Sequence, residues 1–238
     1  MNPSRLSSTF RALIAAACLL AGCGGGGDSG TAGGAAATTP ATYPLQAGYA
    51  ALVTSGPVQT YAISGACGGT ATFTHSPAAA SAFEGIAGHA VTQNSALNYT
   101  GCALVPFNIA QTFYYDAGYT PIGSITPGVE YAKFLAVPSE LPASVKVGDS
   151  AVLVNFTHYS NSTKSLITGR SVLSYLVEAD TASTAIVNFI VRAYNNADQL
   201  SHTQQTRFRI AGNGTLTALS IDSQFSTTST VHLVYTRI

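Results

Sequence analysis

From Ala185 to Ala193 every second residue is apolar, namely Ala185, Val187, Phe189, Val191 and Ala193, with Thr184, Asn188 and Arg192 at positions of the opposite parity. A period of two places successive side chains on opposite faces of a strand, so residues 183–194 read as a strand with one face committed to a core. The same alternation sets Gln205, Arg207 and Arg209 against Thr206, Phe208 and Ile210, and Asn213-Gly214 follows as a two-residue hairpin signal. Thr217, Leu219 and Ile221 continue the buried face on this reading. With Val152 to Tyr159, Leu166 to Val177 and Thr230 to Ile238, the pattern predicts six long strands. They are joined by polar turns at Ser160 to Lys164, Asp180 to Ala182, Asn195 to Asp198, Asn213-Gly214 and Ser223 to Thr228. Turns this short make consecutive strands antiparallel neighbours, which gives an up-and-down meander.

The first half of the chain is less regular. Val58 to Ile63, Thr70 to Thr74, Thr112 to Tyr115 and Tyr131 to Ala136 are strand candidates, and Asp116-Ala117-Gly118 reads as a hairpin loop. Ala78 to Phe83, rich in alanine, suggests a single helical turn. Pro138, Pro142 and Gly148 interrupt the periodicity and mark a sub-boundary near 138–148. A six-stranded sheet with one apolar face must cover that face, and the first half is the available cover. The expected fold is therefore all-β over residues 43–238: an antiparallel meander packed as one sandwich or partly closed barrel, in preference to two separate domains.

Ahead of this body the pattern changes twice. Arg5 and Arg11 precede an apolar segment from Ala12 to Ala21, and small residues lead into Cys23, the layout of a secretory signal over residues 1–22. About ten helical residues reach roughly 15 Å, half of the roughly 30 Å hydrocarbon core, so the segment is too short for a permanent span. Residues 23–42 are Gly, Ala, Ser and Thr with little else, a flexible linker expected to be disordered and to hold the folded body roughly 25 Å from its start.

The tetrad Leu20-Ala21-Gly22-Cys23 resembles the lipobox of bacterial lipoproteins. That resemblance implies cleavage before Cys23, a diacylglycerol on its thiol and a membrane partner reached through the lipid. Gly24, where the family uses Asp for inner-membrane retention, implies the outer membrane of a Gram-negative cell envelope. The alternative is an ordinary signal peptide cut a few residues later, leaving a soluble secreted protein.

Composition narrows the partners. Ten basic residues balance ten acidic ones, and loss of Arg5 and Arg11 with the leader leaves a net charge of about minus two with no clustering. Phosphate binding needs a basic footprint, so no nucleic-acid partner is expected. Cys67 and Cys102 are the remaining pair in an exported chain and are expected to form a disulfide. Closing a loop of about 36 residues corresponds to roughly 3.8 kcal/mol of denatured-state entropy.

Residues that carry chemistry are scattered. His75, His89, His158, His202 and His232 contain no local metal pair, although His75 and His89 flank Glu84. Asp116, Glu130, Asp149, Asp180, Asp198 and Asp222 fall mostly in expected turns, where side-chain bonds to the backbone account for them. No serine lies in a Gly-x-Ser-x-Gly elbow. Phe113, Tyr114, Tyr115, Tyr119, Tyr131 and Phe134 lie within about twenty residues, and tyrosine serves both glycan and protein contacts. Tyr114, Tyr115, Tyr119 and Tyr131 are thus the candidate binding residues. No cofactor, no metal and no catalytic residue is assigned. The leading expectation is a non-catalytic envelope lipoprotein that binds an envelope protein or glycan. The alternatives are a carrier of a lipid or other hydrophobic ligand, which an apolar pocket within the sheet would favour, and a hydrolase whose site the sequence does not reveal.

Overall fold

The computed structural model describes residues 41–226 and 230–238. Cys23, the leader and the linker up to residue 40 lie outside the described residues. A helix α1 (Leu45–Ser55) is followed by β1 (Val58–Gly65), β2 (Gly68–His75), β3 (Ala79–Phe83), β4 (Ile86–Thr100), β5 (Phe107–Asp116), β6 (Pro121–Thr126) and β7 (Glu130–Phe134). The second half holds β8 (Ser150–Tyr159), β9 (Ile167–Ala179), β10 (Thr184–Asn195), β11 (Leu200–Ala211), β12 (Leu216–Ser226) and β13 (Thr230–Arg237).

These strands form one antiparallel sheet in the order β2-β1-β13-β12-β11-β10-β9-β8-β7-β6-β5-β4-β3. Gly68–His75 also pairs with Gln93–Thr100, so β2 and β4 close twelve strands into a barrel, with β3 as an extra strand on the outer part of β4. The all-β meander is what the alternation implies. The first half, however, does not lie over the sheet as a separate cover; it continues the same sheet around to meet itself. β7 pairs with β8 across the proline-rich stretch, and Leu141 and Val145 from that stretch are buried in the interior.

Strand alternation sets the polarity of the wall. Ala185, Val187 and Val191 face the interior and are at most 1 % exposed. Outward positions carry ion pairs, Arg209 with Asp180 at 2.6 Å and Arg170 with Asp198 at 2.7 Å. Apolar inside and charged outside is the reverse of a lipid-facing barrel, whose outer band is apolar. Two apolar clusters fill much of the interior. One gathers β8 to β11 around Leu153, Leu173 and Val187 with Leu45 of the helix; the other gathers β1, β2, β4 and β11 to β13 around Tyr61, Leu97 and Leu233. Phe189 and Leu216 touch both.

Helix α1 caps the end of the barrel where β1 begins and β5 and β11 finish. Gly48 lies so close to the β11–β12 turn that an added Cβ would sit 2.0 Å from the Gly214 carbonyl oxygen, while Gln46 reaches Gly118 in the β5–β6 turn. At the opposite end Cys67 and Cys102 form the expected disulfide, with Cα atoms 5.3 Å apart, joining the β1–β2 turn to the segment after β4.

Four local expectations are corrected. Ala78 to Phe83 is strand, because Ala79 to Phe83 pair with Ile86 to Ala90 and tertiary pairing overrides alanine's helical preference. Residues 45–55, inside the span expected to be all-β, are helix. The turn expected at Ser223 to Thr228 begins later, since β12 runs to Ser226. Pairing passes from Arg207–Ser220 to Phe208–Ala218, skipping Leu219, so this bulge turns Ala218 inward and Thr217 outward.

Candidate functional site

Twelve strands enclose more space than the eight that side chains alone can fill. Between the two apolar clusters the barrel holds a cavity of about 270 Å³. Its floor is the inner face of α1, where Tyr49, Leu52 and Val53 recur at helical spacing. The Tyr49 ring lies 5.1 Å from that of Phe189 and 6.3 Å from that of Tyr115. Burial pushes the Tyr49 phenol up to about 12 against an opposing bond to Tyr115. Burial, reinforced by Tyr49, also raises Tyr115 well above its ordinary value. Both therefore stay neutral. Val91, Ile109 and Phe113 form an apolar side wall.

Away from the helix the wall turns polar. Glu130 at the start of β7, His158 near the end of β8 and Ser171 on β9 all face the cavity from three consecutive strands. His158 Nδ1 is 2.9 Å from a Glu130 carboxylate oxygen, and its Nε2 is 2.7 Å from Ser171 Oγ. A carboxylate only accepts, so Nδ1 carries the hydrogen in the neutral ring and Nε2 is left to accept from the hydroxyl. The Glu130 and His158 side chains are 11 % and 12 % exposed. The register explains the convergence: Ala132 pairs with His158, Phe156 with Ser171, and alternation turns Glu130, His158 and Ser171 inward together.

Further polar side chains complete this half of the lumen. Gln204 donates to Thr206 at 3.1 Å and accepts from Ser223 at 3.2 Å, and Gln111 donates to Ser124 at 3.2 Å. At the other side, next to the C-terminal end of α1, His75 bridges the Pro57 carbonyl and the Gln93 amide at 3.0 and 2.8 Å. The lumen is thus an apolar chamber with a polar tier at one side, where each of these groups already holds a partner.

No family model, curated protein or solved structure matches the chain. The site has to be read from its own chemistry.

The residues singled out by the sequence separate in space. Tyr115 belongs to the lumen, whereas Tyr114 and Tyr131 lie outside the barrel beneath the β3–β4 hairpin, where Phe83 stacks on them at 4.4 and 5.4 Å. Tyr119 stacks on His89 at 4.4 Å. Every tyrosine and phenylalanine among the described residues is buried or half-buried, so these rings do not gather into an exposed patch. Glu84 does not meet His75 or His89. It binds Lys133 and Lys164, each at 2.8 Å, and accepts from the Tyr131 hydroxyl. Those bonds, Lys133 first and then Lys164, hold its carboxyl down at about 2. Among the described residues no group of three or more His, Cys, Asp or Glu has metal-binding geometry. Sequence reasoning placed Glu130 and His158 among scattered acids and histidines and assigned Ser171 no role; the signal that connects them is strand alternation combined with register.

Proposed function

We propose that this chain is a lipid-anchored cell-envelope protein whose barrel binds a small, mostly apolar molecule in its lumen. The observation that carries this reading is the cavity of about 270 Å³ inside the barrel, between α1 and the polar tier. An apolar cavity of about 150 Å³ stays dry and takes up benzene, so one of this size suits a short acyl chain or a substituted aromatic ring. The polar tier at one side orients a ligand with a single polar head group, the usual division of labour in such pockets. The charged outer wall supports a body standing in water beside a membrane, and attachment rests on the Leu20-Ala21-Gly22-Cys23 tetrad and the glycine-, alanine- and threonine-rich sequence after it. Of the readings open from sequence, carriage of a hydrophobic ligand is the one the cavity favours over contact through surface aromatic rings.

Titration of the full chain, purified in detergent, with N-phenyl-1-naphthylamine tests the reading. Saturable fluorescence enhancement is expected for the native chain, weakened at least about tenfold by Ile109→Trp, which fills the apolar wall. Unsaturable enhancement, or equal affinity in Ile109→Trp, contradicts it. For the anchor, Cys23→Ser is expected to abolish palmitate labelling, and persistence of the label refutes lipidation there.

A further inference from the structure

A carboxylate, an imidazole and a hydroxyl in hydrogen-bonded series facing an apolar chamber form an arrangement with a chemical use. We propose that Ser171, His158 and Glu130 act as nucleophile, general base and orienting carboxylate in the cleavage of small carboxylic esters held in the lumen, a proposal that rests on the ligand-binding reading above. Three observations support it. The order of contacts is the productive one: Glu130 meets Nδ1 at 2.9 Å and Ser171 meets Nε2 at 2.7 Å, so the basic nitrogen points at the hydroxyl. All three side chains line the same cavity, so a carbonyl carbon bound there is within reach of Ser171 Oγ. The supports are rigid, because the three residues stand on paired strands and not on loops. A buried carboxylate beside an apolar chamber is also costly unless paired, and the pairing here is spent on one ring nitrogen.

The step balances without an added reagent. Ser171 Oγ bonds to the carbonyl carbon as its proton passes to His158 Nε2, and Glu130 holds the imidazolium through Nδ1–H. The tetrahedral adduct collapses with cleavage of the carbon–oxygen bond to the leaving group, which takes the proton from Nε2 and departs as an alcohol. Water then attacks the acyl-serine, giving its proton to Nε2. Collapse returns that proton to Oγ and releases the carboxylic acid, which ionises. A cavity of about 270 Å³ restricts the substrate to short acyl chains or small aromatic esters.

The test treats the full chain in detergent with a fluorophosphonate probe and, separately, with p-nitrophenyl butyrate. Peptide mass spectrometry is expected to place the phosphonate on Ser171, and ester hydrolysis is expected to fall at least about 100-fold in Ser171→Ala and about tenfold or more in Glu130→Gln. Ser174→Ala, one residue on the outward face of the same strand, is expected to keep both label and rate. A urea midpoint within about 1 kcal/mol of the native chain's shows that Ser171→Ala keeps its fold. A native chain that binds the dye but is neither labelled nor faster than buffer overturns the catalytic proposal and leaves the ligand-binding reading standing. A label on another serine also overturns it, and failure to bind the dye at all overturns both.

Discussion

His202 is fully buried at the interior end of β11, stacked on Phe225 at 4.2 Å, and neither ring nitrogen has a hydrogen-bond partner among the described residues. Burial holds its protonation down at about 3, against about 6.5 in the unfolded chain. Between those values the unfolded chain takes up a proton that the native chain refuses. The contribution of His202 is therefore fully present above pH 6.5 and falls by about 1.4 kcal/mol per pH unit on acidification towards 3. Glu84 responds lower down: its folded value is about 2, so its ion pairs contribute fully above its ordinary value near 4.5 and are lost as pH falls from there towards 2. Urea midpoints measured from pH 6.5 to 5 isolate the histidine. The native chain is expected to lose stability over that range while His202→Phe stays nearly flat, and parallel curves contradict the assignment. Glu84→Gln is expected to cost about 1 kcal/mol at low salt and less at high salt, since partly exposed pairs are screened; denaturation at two ionic strengths reads this directly.

At the scale of elements, α1 depends on close approach more than on helical preference. Alanine in place of Gly48 gains up to about 1 kcal/mol of propensity, but the added Cβ would stand 2.0 Å from the Gly214 carbonyl, a backbone atom that cannot swing aside. Steric displacement wins, and Gly48→Ala is expected to destabilise by about 1–3 kcal/mol in thermal unfolding. The disulfide acts at the other end. Its 35-residue separation corresponds to at most about 3.8 kcal/mol, so a Cys67→Ser, Cys102→Ser double variant is expected to lose up to that amount in urea. How legible each element was follows from the physics. β10 declared itself because one face is buried along its whole length and strict alternation results. In α1 the positions Leu45, Tyr49, Leu52 and Val53 do carry helical spacing, but eleven residues containing a glycine and a threonine give a weak periodic signal. β3 was obscured by alanines whose state is decided by pairing with β4. Closure itself left no trace, since β1 meets β13 and β2 meets β4 through backbone bonds that no side-chain pattern encodes. The Glu130, His158 and Ser171 series emerges only once β7, β8 and β9 are in register, so its members read separately as an acid, a histidine and one serine among many.

For the whole molecule, the sparse charge is placed where it matters least to the interior: arginines and acids pair along the outer wall while the inner wall remains apolar except for one hydrogen-bonded tier. Closure leaves β3, paired only with β4, as the one edge strand among the described residues, so few unpaired backbone groups remain to template association with another chain. Closure also makes the lumen, because a flat sandwich of the same strands would bring its inner faces into contact. The proposed ligand binding therefore depends on an accessible apolar chamber beneath α1. Methyl NMR of the full chain under xenon pressure tests it most directly, since xenon enters apolar cavities and shifts the methyl groups that line them. Shifts are expected to concentrate on Leu52, Val53, Val91 and Ile109, with Val172 and Leu176 on the outer wall unmoved; unperturbed lumen methyls, or shifts confined to the outer wall, would contradict an accessible chamber.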